Sequence, residues 1–446
     1  MATPRFTSIK AAFALLAAVS GASGQQADQG PGVTLTLPSG FSATAFADNL
    51  GRGRHVIVRE NGDVYVSLRH RNERAGGGIV ALRDDDGDGV ADQVRHFGDV
   101  AGTGIDIYRN RLYFGEPTRI VRFKFNSATE LIPGGEMEVV VEGFPKQDAH
   151  AAKPITFDDD GHLFVNIGVP SNACQERIRA PGSPGRRPCP ELQGRGIYMY
   201  DAARLNQQHP QDGIHFATGL RQTVALEWNA HVDHLYLVMH GRDQLNTLFP
   251  DHYSNQDNAE LPAEELHLVE RGLDAGWPYT YWDPRRNARM VAPEYGGDGQ
   301  KKADPDKYAA PLAAYPAHWA PNDLVFYNAE RWSSDFSKDG KPFPPRYHHG
   351  AFIAFHGSWN RAPLPQEGYK IVFHPFTGEK PAGKYEDFAT GFPGKSPVRS
   401  PRQVAHRPCG VAVAPDGALF VVDSVRGRVW RITYGGRRQG RRDGGT

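Results

Sequence analysis

Five short segments of this chain carry groups that can move protons or hold anions, and each lies at the edge of an apolar run. Asp148-Ala-His150 precedes Lys153-Pro-Ile-Thr-Phe157, and Arg221-Gln222 precedes Thr223-Val-Ala-Leu226. His240-Gly-Arg-Asp-Gln-Leu245 follows one apolar stretch, and His356-Gly-Ser-Trp-Asn-Arg361 follows Ala351-Phe-Ile-Ala-Phe355. His406-Arg407-Pro408 opens another. A guanidinium fork pairs carboxylates bidentately, so several arginines brought together suit a planar polyanion. An imidazole beside such a cluster has its charged form disfavoured and can take up a proton at neutral pH. Lys153, three residues beyond His150, would add to that effect if it faces the same space.

A sixth segment has a different chemistry. In Asp84-Asp-Asp-Gly-Asp-Gly-Val-Ala-Asp92, the residues Asp84, Asp86, Asp88 and Asp92 take alternate ligand positions of a calcium loop. Gly89 allows the turn, and the Val90 carbonyl is on hand as a further oxygen. Arg95 stands where the bidentate glutamate of such a loop would fall. The plain alternative is a solvated acidic hairpin turn.

The elements that must position these groups follow one repeated pattern: a Gly, Asn or Asp turn, an alternating apolar strand, then a polar loop. It occurs at residues 60–67, 109–115, 159–166, 232–238, 349–355 and 415–423. Asn-Gly and Asp-Gly accept the positive φ of hairpin turns, and alternation marks a strand with two distinct faces. Six such units in a glycine-rich chain predict an all-β fold, a six-bladed β-propeller with long loop insertions, over residues 33–434. The long interval from Asp251 to Arg346 is expected to hold one blade plus insertions. In a ring of blades the inner strand ends converge on one central mouth, where polar groups from distant repeats would meet. A pair of β-sandwiches accounts less well for six similar units.

Bulk properties narrow the compartment and the partners. Lys+Arg and Asp+Glu balance at 51 each over 446 residues, so no excess charge calls for nucleic acid or an anionic membrane. Residues 1–24 read as a secretory signal: Arg5 and Lys10, the apolar run Ala11–Val19, then small residues. No later stretch reads as a membrane span, and the expected location is periplasmic or secreted. In an oxidising compartment, Cys174 and Cys189 in a Pro/Gly/Arg-rich loop are expected to pair, leaving Cys409, the third of three cysteines, as a small buried residue. No Cys-x-x-Cys-His attaches a haem. The arginine-rich end, 435–446, reads as a disordered basic tail.

Gly357-Ser-Trp-Asn-Arg361, Gly241-Arg-Asp-Gln-Leu245, Ala275-Gly-Trp-Pro278, Arg407-Pro408 and Pro415-Asp-Gly resemble, in order and spacing, the glucose/sorbosone dehydrogenase family. The resemblance runs from about Leu37 to Tyr434. It implies an exported six-bladed propeller that carries pyrroloquinoline quinone (PQQ) and calcium and oxidises an aldose or a sugar-derived aldehyde. Electrons would pass to an external acceptor, a cytochrome or a quinone. By position, His150 matches the catalytic base, Arg221 the arginine beside the quinone carbonyls, and Arg361 and Arg407 the cofactor's carboxylate contacts. The carbonyls of Gly241 and Arg242 match the calcium site. Gln222 stands where the family has asparagine, and His406 where tyrosine is common. The competing functional class is a calcium-dependent, lactonase-like hydrolase on a similar propeller. Its mouth would be rich in carboxylates and asparagine, whereas the segments above are rich in arginine and histidine.

Overall fold

The computed structural model describes residues 33–70, 77–328 and 341–435. The expected signal segment, and all of the tail but Gly435, lie outside them. Six sheets of four or five strands form the body, each built on an antiparallel meander and two of them extended by a short parallel edge strand. Their innermost strands are Gly53–Val58, Ile105–Tyr108, Ile155–Phe157, Thr223–Asn229, Pro321–Phe326 and Pro408–Val413, and each packs against the next around a ring. They define blades 1 to 6 in that order. The six-bladed propeller expected from the repeats is the fold observed.

The repeated unit corresponds to the second strand of each blade: Val64–Leu68, Arg111–Gly115, His162–Ile167, His234–Met239, Ala351–Phe355 and Leu419–Asp423. These strands are paired on both sides and covered on both faces, so they carry the clearest apolar pattern. Six apolar clusters fill the six seams between blades; Phe46, Val66, Leu82 and Phe420 lie in the seam of blades 6 and 1, and Val165, Tyr198, Val140 and Phe144 in that of blades 2 and 3. The ring closes where Phe41–Ala47, early in the chain, pairs antiparallel with Val429–Tyr434 as the outer strand of blade 6. Closure through strands from both chain ends removes the seam at which a propeller would open.

One expectation is corrected. The interval from Asp251 to Arg346 holds no complete blade. It contains the outer half of blade 4, Glu264–Val269 and Ala313–Tyr315, and the inner strand of blade 5. Inserted between them is a hairpin, Thr280–Asp283 with Ala288–Val291. Six second strands already account for six blades, so the extra length is insertion.

Because every blade is the same meander, inner strands all start from one face. Loops entering the inner strands and loops joining second to third strands therefore share that face. Among the described residues, no helix is long and apolar enough to cross a membrane.

Candidate active site at the central mouth

The shared face gathers His150, Arg221, His240, His318, His356, Arg54 and Arg407. The centre of this group is Asp243, an aspartate of the His240–Leu245 segment to which the sequence alone assigns no role. Its carboxylate accepts from Arg221 Nη2 at 2.8 Å and from Asn360 Nδ2 at 2.7 Å, and Arg179 Nη2 lies at 3.3 Å. Its backbone N–H donates to Asn172 Oδ1 at 2.8 Å, and the same oxygen accepts from Arg221 at 3.1 Å. Loops of blades 3, 4 and 5 thus meet on one anion. Burial alone would raise the Asp243 pKa, but Arg221, His318 and Arg179 outweigh it and hold the carboxyl at about 2. Such a buried pair is held by its partners: removing one costs about 3–5 kcal/mol because the other charge stays buried.

His150 stands next to this hub. Its backbone lies in the left-handed region, φ 55°, which a side chain larger than glycine adopts at a cost. Gln147 Nε2 steadies that turn by donating to the carbonyls of Ala149, His150 and Gly168. The ring places Nδ1 2.6 Å from the Val169 carbonyl oxygen. A carbonyl can only accept, so Nδ1 carries the hydrogen and Nε2 has the lone pair. Nε2 has no hydrogen-bond partner among the described residues. Burial, then the Arg221 charge, lowers the pKa to about 3, so the imidazole is neutral at physiological pH. The charged neighbour that lowers it most is Arg221, not Lys153. Its ammonium is buried and turned to the Ala151 carbonyl at 2.8 Å, with Arg195 its charged neighbour.

Other imidazoles repeat the design. His240 donates through Nε2 to the Pro321 carbonyl at 2.6 Å, and His318 through Nε2 to Asn258 at 2.6 Å. Burial, with Arg221 adding, lowers His240 to about 4. His356 is bonded to Ser424 Oγ at 2.6 Å and is held neutral by burial beside Arg407 and Arg54.

The sequence-predicted residues separate into groups. Arg221 is buried at the hub. Gln222 is buried beneath His150; a Cβ on Gly168 would come within 1.9 Å of its Oε1, so that glycine is what lets His150 and Gln222 share the space. Arg407 donates from Nε to the His356 carbonyl at 3.0 Å and lies over Tyr369. Arg361 faces elsewhere: its guanidinium binds the carbonyls of Ala259 and Pro365 and pairs with Glu367 at 3.2 Å. It braces the blade 5 loop against Asn255–Glu260, a short helix capped by Ser254. Arg242 is a buried partner of Glu294, and the Gly241 N–H donates to Glu264 Oε2 at 2.8 Å. The carbonyls of Gly241 and Arg242 accept no hydrogen bond among the described residues. Burial raises the Glu264 carboxyl to about 8.

Arg54 is the other residue missed. It is buried, its Nε has no partner, and it forms no ion pair among the described residues. It is close enough to Arg407 and Arg69 for each to feel its charge, and these two also lack ion pairs among the described residues. Uncompensated guanidinium groups beside a cavity mouth fit a ligand that brings several carboxylates, as PQQ does.

Two expected features lie away from the mouth. Asp84, Asp86 and Asp88 bring carboxylate oxygens within 4.8 Å of one another at the hairpin between blade 1's outer strands, while Asp92 is turned to the Asp85 N–H at 2.7 Å. A cavity of about 930 Å³ forms the far end of the central channel, lined among others by Asp106, Asp158, Glu227 and Asp323. It shares none of the histidines and arginines of the mouth. Cys174 and Cys189 form the expected disulfide, and Cys409 is buried.

Fold and mouth together define a six-bladed propeller with a basic, histidine-lined axial site. The chain belongs to the TrAA12-like family, whose model matches residues 35–435. It is similar to the holo PQQ domain of a pyranose dehydrogenase from Coprinopsis cinerea, with 18% identity, TM-score 0.70, and 90% of this chain and 98% of that one covered. A calcium structure of Trichoderma reesei Carbohydrate-Active Enzymes Family AA12 aligns with TM-score 0.69 and 16% identity, covering 90% and 97%. The PQQ-bound aldose sugar dehydrogenase of Streptomyces coelicolor aligns with TM-score 0.53 and 17% identity, covering 89% and 99%.

Proposed function

We propose that the protein is an exported PQQ- and calcium-dependent dehydrogenase that oxidises an aldose or a sugar-derived aldehyde, with His150 as the base. The observation that carries this reading is the neutral His150 imidazole beside the Arg221–Asp243 pair, with unpaired Arg54 and Arg407 across the same mouth. Arg221, Arg407 and Arg54 would hold the quinone, with Gln222 beneath it, and the free carbonyls of Gly241 and Arg242 would take calcium. The quinone, when bound, supplies an electrophilic carbonyl carbon that accepts hydride. His150 Nε2 receives the proton of the substrate hydroxyl, and the Val169 carbonyl holds the ring in the tautomer that can do so. Asp243 keeps Arg221 in place, and the Arg221 charge stabilises negative charge that develops opposite the base. Arg361 contributes indirectly, through the loop it braces.

The carboxylates at this face are poor candidates for a hydrolytic calcium site. Asp243 is taken by guanidinium and amide donors, and Glu264 by the N–H groups of Gly241 and Ala320. The test is to titrate PQQ and calcium into the purified protein and follow dye reduction with a panel of aldoses. Saturable PQQ binding weakened by Arg407→Ala, with sugar-dependent dye reduction, is the expected result. Binding that does not occur, or lactone hydrolysis in its place, refutes the reading.

A further inference from the structure

One arc of the rim carries positive charge beyond what the site itself uses. The loop from residue 391 to 407 holds Lys395, Arg399, Arg402 and Arg407 and not one acidic residue. Its neighbours continue the sign. The Arg407 carbonyl accepts from Ser424 N at 3.0 Å, the Arg426 carbonyl from Gly51 N at 3.1 Å, and the Arg52 carbonyl from Arg69 N at 2.9 Å. Arg52, Arg69, Lys395, Arg399, Arg402 and Arg426 are all exposed, and none has an ion-pair partner among the described residues. Carboxylates bordering the arc are already engaged. Glu367 pairs with Arg361, Asp48 with Arg428, and buried Asp423 with His406 and the N–H groups of Val425 and Arg426. Amid these cations Val425 is 41% exposed. An apolar spot ringed by unpaired charge of one sign is the composition of a transient, electrostatically steered docking surface.

We propose that this arc over blades 6 and 1 docks an acidic, haem-bearing electron-acceptor protein. The proposal rests on the dehydrogenase reading above and names its acceptor's surface chemistry. Oxidising one carbinol to a carbonyl releases two electrons and two protons. The electrons leave one at a time to two ferric haem proteins, each reduced to ferrous, and the protons go to solvent. The arc suits this exit because Arg407 and Arg69 belong both to it and to the mouth, so a docked partner stands beside the redox site. Charge steering of this kind weakens as salt shortens the screening length to ~8 Å at physiological strength.

The experiment compares wild type with Arg399→Glu/Arg402→Glu/Arg426→Glu, three exposed changes outside the catalytic groups. Binding of an acidic ferricytochrome c is measured by calorimetry at low and physiological salt, beside a basic ferricytochrome c, phosphatidylglycerol vesicles and duplex DNA. Turnover with a small neutral dye is measured in parallel. We expect binding of the acidic cytochrome to fall roughly tenfold or more in the variant and with salt, with dye turnover unchanged. Equal binding by both proteins, preference for the basic cytochrome, or binding of vesicles or DNA without the cytochrome overturns the proposal. Absence of dye reduction while the charge-dependent binding persists would instead count against the catalytic reading alone.

Discussion

His150 Nδ1 lies 2.6 Å from the Val169 carbonyl oxygen, and the Val169 N–H in turn donates to the Arg221 carbonyl at 3.1 Å. One residue therefore fixes, through its two flanking peptide groups, the tautomer of the base and the backbone of the arginine that helps keep it neutral. With its pKa lowered to about 3 by burial and Arg221, His150 takes up a proton only as the pH falls towards that value. The acid limb of kcat/KM is thus expected well below the pH 6.5 of an ordinary histidine, with activity flat from neutrality down to about pH 4–5. His150→Ala should lower kcat by roughly 10²–10⁴ and abolish that limb while PQQ binding survives. A limb near pH 6.5 in the wild type, or full turnover in the variant, removes His150 from the chemistry.

Much of the scaffold was legible because propeller physics repeats. Second strands are buried on both faces, so their pattern of turn, apolar strand and polar loop survives in all six blades. His150, Arg221 and Arg407 were also legible, since each lies in the loop that enters an inner strand, at Ile155, Thr223 and Pro408. The hub was not. Asp243 lies within the segment read for its backbone carbonyls, and nothing local reveals that Asn172, Arg221 and Asn360 converge on it from up to 117 residues away. Arg54 was missed because Gly53–Val58 lacks the turn signal that flagged the second strands. Arg361 shows the converse limit. Its position beside the mouth followed from its place after a strand, but the direction of a guanidinium depends on which carbonyls a neighbouring insertion presents, here Ala259.

Lys153 gives a stability test separate from catalysis. Its ammonium is fully buried, with one carbonyl acceptor, and burial followed by the Arg195 charge brings its pKa to about 7 from 10.5. Between these values the unfolded chain holds a proton that the folded chain has released. Stability from this group is therefore fully present above about pH 10.5 and is lost as the pH falls through 7. Lys153→Met keeps the volume and removes the titration. The variant should exceed the wild type by on the order of a few kcal/mol at pH 6, the gap closing towards pH 10. Denaturant melts at the two pH values read this directly, and a gap independent of pH would refute it.

The disulfide makes the last prediction, because it acts at two levels. Cys174–Cys189 closes a loop of sequence separation 15, for which chain entropy alone contributes about 3 kcal/mol. That part concerns the unfolded chain and would be the same wherever the loop lay. The native contacts add a local role: the bridge packs with Val169 and Trp277, Trp277 Nε1 donates to the Asn172 carbonyl at 3.1 Å, and Asn172, just before the loop, and Arg179, within it, reach Asp243. Cys174→Ala/Cys189→Ala should lower stability by about 2–4 kcal/mol. It should also speed amide exchange at Glu176 and Arg186, whose N–H groups bond to Pro184 and Cys174 across the loop. Weaker PQQ binding should accompany that loosening, since Asp243 would lose a partner. If stability falls while exchange and binding stay as in the wild type, the bridge serves the unfolded chain alone and the hub is held by blades 4 and 5 without it.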